Sequence, residues 1–149
     1  MLQLCELDVN EFIYELLVYI REMSEAIERQ IEFIPAFPVV KILGDKDKLK
    51  QVFINIVRNA YEAVAPGDVV KLKVDCSHTD KVCINVYNSS EPIPLEVIAK
   101  LSQPFFSTKP CGTGLGLAIT KHIVNAHNGE LLISSELLTG TTVSVQLPL

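Results

Sequence analysis

Residues 112–117 have the composition of a phosphate-binding turn. The run reads Gly112-Thr113-Gly114-Leu115-Gly116-Leu117, so that three glycines alternate with larger residues. Glycine lets the backbone come close to a ligand and take a positive φ without steric cost. A helical apolar pattern follows at once, and the unpaired N–H groups and the positive dipole end of a new helix face the same spot. This arrangement predicts a site for a phosphate chain.

A second set of candidate residues lies on an earlier predicted helix. Gln51, Asn55 and Asn59 are spaced i, i+4 and i+8 and therefore line one flank, beside a stripe of apolar residues. Asparagine is a mediocre helix former, so its repetition at the border of a core-facing stripe favours a binding role. The alternative, a solvated flank that tolerates amides, stays open at this point.

The elements that position these residues follow from the periodicity of the apolar residues. One-sided stripes at period 3.6 predict three helices, over about 12–27, over about 49–64 and from just after the glycine run to about 128. Alternation predicts strands over about 2–7, 70–74, 82–86, 131–135 and 143–147, with two more strand pieces around a turn within 31–43. The expected fold is α+β: a two-layer α/β sandwich in which a mixed, mostly antiparallel sheet packs against three helices.

Capping residues set the expected ends of these helices. Asp8 or Asn10 is expected to cap the first helix, and Asp45 or Asp47 the second. Gly129 is expected to stop the third helix. Between the fifth strand and the glycine run, the sequence predicts a loop over 88–92, a short helix over 94–101 and an irregular loop over 102–111.

Composition limits the class of protein. A chain of 149 residues with 48% hydrophobic and 21% charged residues suits one globular domain with a core. The net charge of −5 argues against a nucleic-acid partner or an anionic membrane partner, and no apolar run reaches transmembrane length. The four cysteines form no CxxC pair and have no histidine at zinc spacing, which favours reduced thiols in a cytosolic domain.

Two other phosphate-binding turns fit the glycine run poorly. A Rossmann-type dinucleotide site has an acidic residue about 20 positions later, as Glu136 is here, but it needs GxGxxG after a buried strand. Position 117 is Leu, and the glycines follow a segment interrupted by Pro104 and Pro110. A P-loop needs GK[ST] after its glycines, and that sequence does not follow here.

Four motifs occur in one order along the chain and together carry a family resemblance. They are Asn55-Ile56-Val57-Arg58-Asn59-Ala60, then Asn88-Ser89-Ser90-Glu91-Pro92-Ile93, then Pro104-Phe105-Phe106-Ser107-Thr108-Lys109, and then Gly112 to Leu117. They resemble the N, G1, F and G2 boxes of sensor histidine kinases, which belong to the ATP-binding superfamily shared with gyrase, Hsp90 and MutL (the Bergerat fold). Gly140-Thr141 is similar to the last box. The resemblance covers nearly the whole chain and implies one ATP-binding catalytic domain over 1–149.

The resemblance also implies the roles of individual residues. It gives catalytic roles to Asn55 and Lys109, and it makes Asn59, with Asn55, the ligand of Mg²⁺. It implies a lid over about 94–111 that orders when ATP is present. The residues that it places around ATP are Asn55, Asn59, Glu62, Asn88, Ser90, Ile93, Thr108, Lys109, Gly112, Thr113, Gly114, Leu115, Gly116, Leu117 and Thr141.

The same resemblance implies partners. The γ-phosphoryl group would pass to a histidine on a separate dimerisation domain and then to a response regulator, with no nucleic acid and no membrane insertion by this chain. None of His78, His122 and His127 lies in a phosphoacceptor motif, and we interpret them as surface or satisfied helix histidines. A cytoplasmic location is expected, whether or not the parent protein is anchored to a membrane.

Two positions depart from the family pattern and leave other functions open. Family members usually carry Asp where Asn88 stands and Gly where Ser90 stands. One alternative is therefore an interaction module that has lost nucleotide binding. The other is a different ATPase or a serine kinase of the same superfamily, but these usually place Glu at the position of Asn55, and an amide has no useful basicity.

Overall fold

A computed structural model of the chain describes residues 2–26, 30–36, 39–63, 69–88, 116–136 and 140–149. The short helix expected over 94–101 and the lid expected over about 94–111 lie outside this range. The described elements are, in chain order, β1 (Cys5–Asp8), α1 (Val9–Ala26), β2 (Gln30–Ile34), β3 (Lys41–Gly44), α2 (Lys46–Ala63), β4 (Val69–Asp75), β5 (Lys81–Asn88), α3 (Gly116–Ala126), β6 (Glu130–Glu136) and β7 (Gly140–Pro148).

Five of these strands form one mixed sheet in the order β2-β4-β5-β7-β6. β2 runs parallel to β4, and the pairs β4–β5, β5–β7 and β6–β7 are antiparallel. The mixed, mostly antiparallel sheet is therefore confirmed. The two strand pieces predicted within 31–43 join different sheets, because β3 pairs with β1 in a separate antiparallel ribbon.

The helices cover one face of the large sheet. α2 packs on β4 and β5, α1 packs on β2, and α3 packs on β6, β7 and α2. Successive side chains of a strand point to opposite faces, so the covered face is apolar; it is lined by Val70, Leu72, Val74, Val82, Ile84 and Val86, all buried. Lys71 and Lys73 are exposed on the other face. The two-layer sandwich that the alternation predicted is confirmed.

The predicted helical stripes form the core. Phe12, Ile13, Leu16, Leu17 and Ile20 of α1, and Leu49, Val52, Phe53, Ile56, Val57 and Ala60 of α2, are all buried. The rings of Phe12 and Phe53 meet edge to face with centroids 6.1 Å apart, which joins the two helices. Within the described residues, no helix is long and apolar enough to span a bilayer.

Aspartates cap both of these helices at their N-termini. Asp8 Oδ1 accepts a hydrogen bond from the Glu11 amide at 3.2 Å, and Asp45 Oδ1 accepts one from the Lys48 amide at 3.3 Å. Asn10, the other candidate cap of α1, instead makes two hydrogen bonds to the backbone of Ala36. Its Nδ2 donates to the Ala36 carbonyl at 2.8 Å, and its Oδ1 accepts from the Ala36 amide at 3.0 Å. Capping therefore falls to Asp8 and Asp45, the first candidate in each pair.

The end of α3 differs in detail from the prediction. Gly129 was expected to stop this helix, but the residue with left-handed backbone is Asn128, with φ of 60°. The amide of Gly129 closes the turn by donating to the Val124 carbonyl at 3.0 Å. A Cβ atom on Gly129 would lie 2.3 Å from the Gln146 carbonyl oxygen. Glycine is thus required here by the close approach of β7 and not by the backbone angle.

Candidate functional site

The amides predicted to hold a metal lie on one flank of α2. Asn55 and Asn59 are both half-buried, beside the buried Ile56 and Ala60. Residues four apart on a helix share a face, so the two amides line the border between core and solvent. Arg58 is exposed, as expected for a solvated charge. The side chain of Glu62 lies outside the described part of the chain.

Two further predicted residues are neighbours across a strand pair. Asn88 is the last residue of β5 and is the direct partner of Thr141 in β7. Both are 4% exposed and share the helix-covered face with Val86 and its partner Val143. The apolar face of the sheet therefore ends in a buried polar pair, the kind of group that fixes the orientation of a ligand in an otherwise apolar pocket.

The glycine run leads directly into α3. This helix begins at Gly116, and Leu117 is half-buried. α3 packs on α2, the helix that carries the two asparagines. The first turn of α3 has unpaired N–H groups, as every helix N-terminus does, and such groups can bind a phosphate. The other predicted nucleotide residues lie outside the described residues: Ser90, Ile93, Thr108, Lys109, Gly112, Thr113, Gly114 and Leu115.

The donor atoms available on α2 suit a magnesium ion. Across the described ranges, no group of three or more His, Cys, Asp or Glu side chains could hold a metal. A cation at α2 would therefore rely on amide oxygens such as those of Asn55 and Asn59. Mg²⁺ takes oxygen ligands, keeps several waters and needs only one or two protein ligands when phosphates supply the others. The residues present fit this ion.

The pKa shifts in the described residues lie in a helix cap, a turn, a buried thiol and the surface ion pair of Glu15 with Lys46. The pKa of the Asp45 carboxyl is lowered, first because it accepts the Gln3 amide at 3.0 Å and then because it accepts the Lys48 amide. The pKa of the Asp75 carboxyl is lowered by the Ser77 amide, 2.9 Å away in the turn after β4. Burial raises the pKa of the Cys83 thiol. Cys5, Cys76 and Cys83 are free thiols, as expected for the described cysteines.

The histidines have the ordinary environments that were predicted. His78 and His122 are exposed, and His127 is buried at the end of α3. His127 Nε2 accepts the Asp45 amide at 3.0 Å, and its Nδ1 lies 2.8 Å from the Ile123 carbonyl. The bond to Ile123 is local to the helix. The bond to Asp45 spans 82 residues of sequence, and sequence reasoning missed it because no local pattern reports such a contact.

Comparisons with known proteins agree with this geometry. Residues 44–149 match the family model of the histidine kinase-, DNA gyrase B- and HSP90-like ATPases. Sporulation kinase C of Bacillus subtilis is 44% identical over 72% of this chain and 25% of its own length. The sensor histidine kinase ZraS of Salmonella typhimurium is 30% identical over 99% of this chain and 32% of its own length. The chain therefore spans about a quarter to a third of these relatives.

Solved structures narrow the class further. The catalytic domain of histidine kinase ThkA superposes with a TM-score of 0.87 at 32% identity, over 99% of this chain and 98% of that domain. Fold and site thus define an ATPase-type α/β sandwich. The chain belongs to the histidine kinase-, DNA gyrase B- and HSP90-like ATPase family, and within it to the catalytic domains of histidine kinases.

Proposed function

We propose that this domain binds Mg-ATP and positions its γ-phosphate for transfer to a histidine on a separate dimerisation domain. The observation that carries the proposal is the junction at Gly116. There the last glycine of the run is the first residue of α3, and α3 packs against α2, the helix that carries Asn55 and Asn59. Phosphate-binding amides and oxygen ligands for a metal are thereby supplied by two helices in contact.

In this proposal the metal and the phosphates are shared between α2 and the glycine run. The side-chain oxygen of Asn59 binds Mg²⁺, and Asn55, one turn earlier, supports the metal or a phosphate. Mg²⁺ neutralises phosphate charge in the transition state. Lys109 reaches the β- and γ-phosphates as a point charge, and Thr108 and Glu62 border the same site. The backbone of residues 112–117 cradles the phosphate chain.

The adenine base is proposed to bind at the end of the β5–β7 strand pair, beside Asn88 and Thr141. Asn88 accepts a hydrogen bond from the adenine amino group, and its buried strand partner Thr141 borders the same position. Ser90 and Ile93 follow Asn88 in the sequence and complete this side of the pocket. The apolar residues next to this pair on the same face, Val86 and its partner Val143, would pack against the ring.

The partners are proposed by analogy with relatives. ThkA, 29% identical over 97% of this chain and 41% of the ThkA chain, has been solved in complex with the response regulator TrrA. We propose that the whole protein transfers its phosphoryl group from the phosphoacceptor histidine to a response regulator in the cytoplasm. This domain would contribute to the first step by positioning and electrostatics; the phosphohistidine formed in that step would then be the phosphoryl donor to the response regulator.

A substitution at Asn59 tests the proposal. Asn59→Ala should weaken Mg-ATP binding by about 1–3 kcal/mol, because a charged partner loses its ligand. The effect should largely vanish when Mg²⁺ is removed. Lys50→Ala is the matched control, since Lys50 lies nine residues before Asn59 on α2 and is therefore about 180° around the helix from it.

Calorimetric titration with and without Mg²⁺ decides between the candidate functions. Equal affinities for the wild type and Asn59→Ala under both conditions would overturn the metal role of Asn59. A wild-type protein that binds no nucleotide would instead favour an interaction module, the alternative suggested by Asn88 and Ser90.

A further inference from the structure

A side chain at the end of α3 ties that helix to the start of α2. His127 is 6% exposed, and its Nε2 accepts the backbone amide of Asp45 at 3.0 Å. A backbone amide can only donate, so the ring proton lies on Nδ1 and is donated to the Ile123 carbonyl at 2.8 Å. The imidazole therefore connects the last turn of α3 to the capping residue of α2.

Asp45 makes three further hydrogen bonds to backbone amides. Its carboxylate accepts the amides of Gln3 and Lys48, and its carbonyl accepts the Leu49 amide at 2.9 Å. Next to the bond from the Asp45 amide, a Cβ on Gly44 would lie 3.7 Å from His127 Cδ2, so the end of β3 packs on the imidazole. His127 thus binds the Asp45 backbone where β3 ends and α2 begins, a segment that these other contacts hold in place.

This contact sets the register of the two helices. The N-terminus of α2 meets the C-terminus of α3, and the helices pack together, so they run in opposite directions. Gly116 lies eleven residues before His127, or about 16 Å at the rise of an α-helix. Along α2, Asn55 and Asn59 lie about 15 and 21 Å beyond Asp45. Gly116, the first residue of α3, therefore lies at the level of the two asparagines.

We infer that His127 is a positioning residue for the nucleotide site, although it touches no nucleotide. By fixing α3 against the cap of α2, it holds the start of α3 at Gly116 opposite Asn55 and Asn59. The inference rests on the proposed function for its consequence in ATP binding. It differs from a purely structural role, which would lower stability without changing the relation between the two helices.

The test compares two variants that each remove a pair of side-chain-to-backbone hydrogen bonds. His127→Phe keeps a planar ring but removes both bonds. Asn10→Ala is the matched control, because Asn10 makes two hydrogen bonds to the Ala36 backbone and joins α1 to a different segment. His127→Gln restores one amide acceptor and serves as a second variant should the phenylalanine prevent folding. All are measured at a temperature at which thermal unfolding shows each variant to be folded.

Two readouts separate the positioning role from stability alone. The Kd for Mg-ATP should rise about 5- to 30-fold in His127→Phe, the range for one or two lost hydrogen bonds, and less in His127→Gln. It should stay within about twofold in Asn10→Ala, as for a distant independent site. In the nucleotide-free protein, amide exchange near Asn55 and in the first turn of α3 should quicken only in the His127 variants.

Different results would contradict the positioning role of His127 and the proposed binding of Mg-ATP. If Asn10→Ala loosens ATP as much as His127→Phe does, or if His127→Phe lowers the melting temperature without changing the Kd, the positioning role is overturned. If the wild type binds no Mg-ATP, the proposed function fails, and the exchange measurement alone decides the helix register. An NMR spectrum of the wild type that places the His127 proton on Nε2 would remove the link itself.

Discussion

Asn88 and Thr141 are direct partners at the end of the β5–β7 strand pair, and both are buried under the helical layer. They lie 53 residues apart in the sequence, yet the register of two antiparallel strands makes them neighbours. Buried polar groups in such a position specify orientation, since the rest of the covered face is apolar. This pair is the base-recognition end of the site in our proposal.

Asn88→Asp should tighten ATP binding by about 0.5–1.5 kcal/mol, the value of one hydrogen bond. A carboxylate accepts the bond from the adenine amino group as a charge-assisted bond, which is about twice as strong as a neutral one. Asn88→Ala should loosen ATP, because it removes the acceptor. Calorimetric titration measures both, and Asn85→Asp is the control, because Asn85 lies on the same strand but on the opposite face.

Two results would contradict the role of Asn88 in binding adenine. If neither substitution at Asn88 changes the affinity, then Asn88 does not read the base, and Ser90 has reshaped the segment that follows it. If Asn85→Asp tightens ATP binding as much as Asn88→Asp does, the gain does not come from base recognition by Asn88.

The isolated domain should hydrolyse ATP far more slowly than the ~1–100 s⁻¹ turnover of protein kinases, and it should not label itself. Asn55 occupies the position where hydrolytic relatives carry Glu, and an amide cannot take a proton from water. With radiolabelled ATP, it should label a separately supplied dimerisation domain from its parent protein. The control is the same domain with its acceptor histidine replaced. Rapid phosphate release that Asn55→Ala abolishes would favour the ATPase class.

The helices and the flank of asparagines could be predicted because their signals are local. A period of 3.6 identifies a buried stripe from within one segment. The stripe residues from Phe12 to Ile20 in α1 and from Leu49 to Ala60 in α2 are buried, whereas Ile119 and Ala126 in the apolar pattern of α3 are exposed. The spacing of Asn55 and Asn59 likewise places them on one face without any knowledge of the fold. Tyr61, which is 1% exposed, was missed because aromatic residues with a polar end occur both inside and outside proteins.

The contacts between distant segments could not be predicted in this way. The parallel pairing of β2 with β4 is set by packing across many residues, and alternation within a strand does not report its neighbour. The pairing of Asn88 with Thr141 depends on the register of β5 and β7, and the bond from Asp45 to His127 depends on how α2 and α3 dock. Each needs the whole fold before it can be seen.

The stability of the domain should fall in acid partly through Asp45. The Gln3 amide, followed by the Lys48 amide, lowers the pKa of this carboxyl below its ordinary value. A lowered pKa means that the carboxylate contributes stability above about pH 3.9, the ordinary value for Asp. That contribution is lost as the pH falls through the folded-state pKa. Urea unfolding from pH 7 to pH 3 should therefore show the difference between the wild type and Asp45→Asn shrinking at the acid end.

Asp8→Asn is the matched control for this experiment, because each aspartate caps a helix. Asp8 accepts one backbone amide, which the single oxygen of an asparagine can also accept. Asp45 uses one oxygen for Lys48 and the other for Gln3, so an asparagine leaves one of these donors facing an NH₂ group. At pH 7 Asp45→Asn should lower the free energy of unfolding more than Asp8→Asn does; equal losses would contradict the double role of Asp45.

Two adjacent residues after α3 should respond in opposite ways to substitution. Gly129→Ala should destabilise the domain by about 1–3 kcal/mol, the usual cost of overpacking. Its new Cβ would lie 2.3 Å from the Gln146 carbonyl oxygen. That oxygen belongs to the backbone of β7, which is paired on both sides with β5 and β6 and so cannot easily move away. Asn128→Gly should instead be neutral or stabilising by up to about 1 kcal/mol, because glycine adopts the left-handed φ of 60° without steric cost.

Urea denaturation of both variants, with the slope m compared to that of the wild type, checks this pair. The opposite signs matter because both residues lie in the same turn, so a general loosening of the turn would destabilise both. A loss of stability in Asn128→Gly as large as that in Gly129→Ala would mean that the Asn128 side chain holds the turn. Unchanged stability in Gly129→Ala would mean that the end of α3 can move away from the Gln146 carbonyl while it keeps the hydrogen bond from Gly129 to Val124.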